Sequence, residues 1–237
     1  MGTALKFDDK AGCTVMVSME LKSSQLLPPF IIFKGILGAR LIKSWQTYRG
    51  ATVVFTPRHW MNHEANILYL KYLKKYFPRK KIGLIYDSAP CHVSKTVQTW
   101  ITNENKKVPS SEHYIVELID PCLTSVYQPP DIGIVKELKK KIRYYYNRHL
   151  NEMCDNGLKA GDHMTIAREK LVEFIVNAVD DFNNSNIDSG YISKLFRQCG
   201  LDPWSTDQSD FTTHLDKLSR DSVYKSLSEA HESLNLL

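Results

Sequence analysis

The sequence predicts an α/β protein: a sheet with helices on both faces and a helical C-terminal region. Three observations lead there. Short apolar runs with period two or with no polar interruption occur in the first half of the chain. Stretches with apolar spacing of three and four alternate with them from residue 62 onward. From Asn151 to the end only helical patterning recurs.

In "CTVMVSM" (13–19), Cys13, Val15, Val17 and Met19 fall on one face, the mark of a half-buried strand. "ELKSSQ" is turn-like, and "PFIIFKG" (29–35) is the second strand of an antiparallel hairpin with a longish loop. "ATVVF" (51–55) is a third short strand. "NHEANILYLKYLKKYF" then reads as a helix, with Asn62 as N-cap and Pro78 beyond its end. "IGLIY" (82–86) is apolar on both faces, which places it centrally in a covered sheet. "SKTVQTWITNEN" is a helix, "HYIVELI" a fifth strand, and "DPCLTSVYQPP" a loop. "DIGIVKELKKKIRYYYNRHL" is a long helix. "TIAREKLVEFIVNAVDDF" and "SGYISKLFRQCG" follow as helices, and the tail as a weak amphipathic one. The expected division is a core over 1–150, a helical continuation of the same domain over 151–204, and an acidic tail over 205–237.

The 237 residues suffice for one large domain or two small ones. The longest apolar-looking run, "LLPPFIIF", is short and holds two prolines, so no membrane span is expected. "MGTALKFDDK" lacks the apolar core of a secretory leader. Five scattered cysteines without a CxxC argue for a reducing compartment and against a zinc cluster or disulfide framework.

The net charge of +5 is unevenly placed. The segment 70–81 carries six Lys/Arg and no acid, and 136–143 carries five with one Glu. Solvated helix faces are the plain reading; a surface for a polyanion is the sharper one. Lys136, Lys139, Lys140 and Arg143, with Lys74 and Lys75, are the candidate nucleic-acid contacts. In "RYYY" (143–146), three successive tyrosines cannot share one helix face, so base stacking by all of them is excluded.

Two carboxylates stand out. Asp87 ends the apolar run of "KIGLIYDSAPCH", where ligands gather in open α/β sheets. Asp131 opens the long helix after two prolines. A regular helix puts it in line with Val135, Leu138 and Ile142 and so turns it toward the sheet. Singly, each has an ordinary explanation: a turn for Asp87 and an N-cap for Asp131. Together, beside basic stripes and with no organised Cys/His set, they point to a shared hard cation, Mg²⁺ or Mn²⁺, and to phosphoryl transfer. His59 and His63 are spaced i, i+4 but lack the internal Glu of a zinc protease. Cys91 and His92 are adjacent, a poor arrangement for a thiol nucleophile and its base.

"TVMVSMELKSSQLLPPFIIFKG", "HWMNHEANILYLKYL", "LIYDSAPCH", "VYQPPDIGIVKELKKKIR" and "LFRQCGL", in that order, resemble the DDE superfamily endonucleases over roughly residues 10 to 200. The nearest group is pogo, Tigger and jerky, which includes the domesticated centromere protein B. The resemblance implies an RNase H-like mixed sheet flanked by helices, three acidic residues that bind two divalent metals, DNA as the partner, and the nucleus as the location. Asp87 matches the second acid, Asp131 the third, and His92 an accessory histidine found after the second. The family's first acid lies on a central strand upstream of a hairpin like 13–35. Asp8 and Asp9 sit in a polar segment with no strand before them and do not match it. Ser88 stands where Asn is usual, and "NENKKVPSSEH" is a polar insertion. The expectation is therefore a transposase-derived endonuclease domain that binds DNA, with cutting impaired by the absent first acid and strand edges left open where the first strand would pair. The alternatives are a domesticated, non-enzymatic DNA-associated protein and an unrelated metal-dependent phosphohydrolase. Against the last, there is no Gly-rich phosphate loop.

Overall fold

A computed structural model describes residues 12–36, 50–120, 123–157, 166–186 and 189–217. Asp8, Asp9, Cys122 and the tail beyond 217 lie outside the described residues. The architecture is mixed α/β, as the sequence predicts, and consistent with an RNase H-like fold. The chain packs as two compact units that interleave in sequence. The first takes 1–20, 25–61 and 135–189; the second takes 21–24, 62–134 and 190–237.

The first unit is built on the predicted hairpin. Strand β1 (Cys13–Met16) pairs antiparallel with β4 (Phe30–Lys34), Cys13 opposite Phe33 and Met16 opposite Phe30. The arms extend into a second short ladder, β2 (Met19–Glu20) with β3 (Gln25–Leu26). On the other side β5 (Thr52–Thr56) joins β4 in parallel, so β4 is central and the sheet order is β1-β4-β5. Phe30, Ile31, Ile32 and Phe33 are all fully buried, so this central strand is covered on both faces as well as paired on both edges.

Helices α5 (Val135–Asp155) and α6 (Arg168–Asn186) pack on each other. Val172 and Ile175 of α6 meet Ile31, Phe33, Val53 and Phe55 of the sheet. Asn183 fastens the helix to the hairpin like an added strand residue. Its Nδ2 donates to the Leu26 carbonyl at 3.0 Å and its Oδ1 accepts from the Leu26 N–H at 2.9 Å. At the other end of α6, Arg168 donates to the Lys34 carbonyl at 2.9 Å and lies over the Phe33 and Phe55 rings.

The second unit holds a parallel pair, β6 (Ile82–Asp87) and β7 (Tyr114–Ile119), with Ile82 opposite Tyr114 and Asp87 opposite Ile119. Helix α1 (His63–Tyr76) is capped as expected, the Asn62 side chain accepting from the Ala65 N–H at 2.8 Å. The short α2 (Pro90–Val93) leads through Ser94, an N-cap to Val97, into α3 (Lys95–Asn105). Asn105 grips Tyr114 by both backbone groups, and the Tyr114 hydroxyl donates to the Leu70 carbonyl of α1 at 3.0 Å. Burial, with the Glu104 charge second, pushes that phenol up to about 12.

Two expectations need correction here. Residues 124–127, expected as loop, form the short helix α4 (Thr124–Tyr127). Strand β6 was expected to lie centrally in a covered sheet, yet among the described residues it pairs only with β7, and Ile85 is 39% exposed. Its apolar composition reports hydrophobicity, which a strand shows whether or not both sides are paired.

Helices α7 (Tyr191–Gln198) and α8 (Ser209–Lys217) pack on each other, joined by an Arg197–Asp210 ion pair at 2.8 Å. Among the described residues no helix is long and apolar enough to cross a membrane.

Candidate metal and nucleic-acid site

Asp87 is the last residue of β6, and the chain turns at once into α2. Its Oδ1 accepts from the Ala89 N–H at 3.3 Å, the turn that a strand-end Asp favours. The stronger partner is His92, whose Nδ1 lies 2.7 Å from the same oxygen and 3.0 Å from the Asp87 carbonyl oxygen. Both neighbours of Nδ1 are acceptors, so Nδ1 carries the proton. His92 is 8% exposed and its ring stacks on Tyr86 at 4.1 Å between centroids. Its Nε2 is buried with no hydrogen-bond partner among the described residues. The loop bearing the pair is tied to α1 by Asn66, whose Nδ2 donates to the Cys91 carbonyl at 3.0 Å. Burial raises the Tyr86 phenol, with the Asn66 side chain pulling the other way, and burial likewise raises the Cys91 thiol. A thiol that burial keeps protonated fits packing rather than nucleophilic chemistry.

The Asp87 side chain is 42% exposed, and its Oδ2 has no partner among the described residues. A carboxylate oxygen that is anchored through its neighbour yet open to solvent is a sound ligand for a hard divalent cation. On that chemistry Asp87 fits the metal that the sequence implies.

Asp131 belongs to the same unit but sits differently from expectation. It is exposed rather than turned toward the sheet. Residues Pro130–Ile134 form a π-turn ahead of α5. The wider turn breaks the phase assumed for a regular α-helix, so Ile134 and Leu138 hold the buried positions and Asp131 falls outside their line. The Asp131 N–H donates to the Gln128 carbonyl at 3.0 Å. Gly133 sets the turn against α7: a Cβ there would collide with the Tyr191 hydroxyl. Among the described residues no three His, Cys, Asp or Glu side chains are grouped so as to hold a metal.

The basic candidates separate into two kinds. Lys136, Lys139, Lys140 and Arg143 are all exposed along α5, with Lys140 paired to Glu137 at 2.8 Å. The lysine holds the Glu137 carboxyl below the usual range. Lys75 is exposed on α1. Lys74 is not a free cation: its Nζ donates to the Lys80 carbonyl at 3.2 Å and to the Glu112 carbonyl, and lies 5.5 Å from the Tyr114 ring centroid. It fastens the end of α1 to the segment before β7.

His59 lies in a turn at φ 55°, ahead of the helix that His63 begins, so the two do not share a helix face. Of the tyrosines, Tyr144 is 60% exposed while the Tyr145 hydroxyl donates to Asp181. The Asn66 tie, the Gly133–Tyr191 contact and the structural use of Lys74 had no signal in sequence spacing, because each joins residues 6 to 58 positions apart through side chains on different elements.

A family profile described as DDE superfamily endonuclease matches residues 10–191. No curated protein and no solved structure matches the chain.

Proposed function

The chain belongs to the DDE superfamily of endonucleases, and from that premise we propose that it is a transposase-derived domain acting on DNA. In this reading Asp87 and Asp131 are the acids that hold Mg²⁺ or Mn²⁺, and the basic face of α5 binds phosphates. The order and spacing of the Asp87 and Asp131 blocks support a place near the pogo, Tigger and jerky group. The observation that carries the reading is Asp87: a strand-end carboxylate with one oxygen anchored by His92 and the other open. Bound there, the metal would supply charge for stabilising the leaving oxygen and activating the attacking one. The residues of this chain do the rest: His92 orients the carboxylate, and Lys136, Lys139, Lys140 and Arg143 attract the backbone.

The test is nicking of supercoiled plasmid in Mn²⁺ by the chain and by its Asp87→Ala and Asp131→Ala variants. Nicking lost in both variants is the expected result. Nicking of equal rate in all three proteins overturns the assignment of these acids.

A further inference from the structure

Resting on the metal reading of Asp87, we propose that His92 is a positioning residue that makes Asp87 a one-oxygen ligand: Oδ1 is reserved for protein N–H donors and Oδ2 alone meets the ion. A free carboxylate can rotate about its Cβ–Cγ bond and bind a cation through either oxygen or both. Here Oδ1 takes the His92 Nδ1–H at 2.7 Å and the Ala89 N–H at 3.3 Å. Two donors already compete for the two lone pairs of that oxygen. A cation approaching it would meet donor hydrogens, while Oδ2 has no partner among the described residues and lies on a side chain 42% exposed.

The histidine is itself held in place. Its proton cannot move to Nε2 without leaving Nδ1 between two acceptors, the Asp87 carboxylate and the Asp87 carbonyl at 3.0 Å. Nε2 is buried and has no partner among the described residues to attract a proton. Stacking on Tyr86 fixes the ring plane, and the Asn66 bond to the Cys91 carbonyl fixes the backbone beside it. The result is a carboxylate whose orientation is decided before any metal arrives, the arrangement by which outer partners tune a metal ligand.

The experiment is Mn²⁺ titration of the full chain, followed by electron paramagnetic resonance of the free ion. It compares the native protein with Asp87→Ala, His92→Asn, His92→Gln and His92→Phe, each checked for folding by thermal melt. Asparagine carries an N–H donor at the position of Nδ1, glutamine carries one at the position of Nε2, and phenylalanine keeps the stack with no donor. The expected result is near-native affinity in His92→Asn and a loss of about 10- to 100-fold in His92→Gln and His92→Phe. Equal affinity in the Asn and Gln variants overturns the proposal, as does native affinity in His92→Phe. If His92→Phe fails to fold, the Asn–Gln comparison decides alone. Mn²⁺ binding that persists unchanged in Asp87→Ala overturns the metal reading itself, a different failure with a different signature.

Discussion

Replacing Lys139 and Lys140 together by alanine separates a phosphate-binding face from a merely solvated one. Both side chains are exposed on α5, next to Lys136 and Arg143. On duplex DNA each phosphate contact contributes about 0.9 to the slope of log affinity against log salt. Losing two contacts therefore lowers the slope by about 1.8. Between roughly 50 and 200 mM salt, a fourfold change, that slope difference amounts to about tenfold in affinity. The native protein should bind more tightly at the lower salt and lose about tenfold more of its affinity over the range than the double variant does. Glu137 tempers this estimate: it holds Lys140 at 2.8 Å, so part of that charge is already offset. Glu137→Gln should therefore strengthen binding in the same titration. The assay is fluorescence anisotropy with labelled duplexes of unrelated sequence at several salt concentrations. Parallel slopes for the native and doubly substituted proteins would refute the reasoning and leave these lysines as a solvated face.

Lys74→Met should leave DNA affinity unchanged and instead destabilise the fold by about 1.5–3 kcal/mol, the worth of hydrogen bonds from a charged donor; urea melts of the native and variant proteins check this. The Cys13 thiol, which burial pushes up to about 11 from an ordinary 9.0, gives a pH dependence of definite sign. Between pH 9 and 11 the unfolded thiol loses its proton and the folded one keeps it, so stability present below pH 9 falls as pH rises through that window. The loss from this group is at most on the order of 3 kcal/mol. Cys13→Ala should flatten the decline between pH 9 and 11 in urea melts, and an equally steep decline in the variant would remove Cys13 as its source.

Interactions within a few residues were legible from the sequence alone. Asn62 caps the helix after it because a side-chain oxygen three residues ahead of a free N–H needs no tertiary partner. The 13–35 hairpin formed because alternation fixes which face is buried and the loop limits the register. The place of Asp87 at the end of a strand was legible too, since a charge ending an apolar run is anomalous in one dimension.

Only the tertiary structure decided the rest. The antiparallel hairpin gave no hint that β5 would add in parallel and leave β4 paired on both edges, because parallel partners are joined through connections of arbitrary composition. Asp131 had the spacing of a buried stripe, and one widened turn, fitted to Tyr191 through Gly133, moved it to the surface. Lys74 looked like its neighbour Lys75, since a sequence records a charge but not the carbonyls at Lys80 and Glu112 that fold beside it. Cys91 and His92 are adjacent in the chain, yet the histidine serves Asp87 five residues back, while the backbone of the cysteine serves Asn66. The direction a side chain takes is set by the turn that carries it and the packing around it, and both belong to the folded molecule.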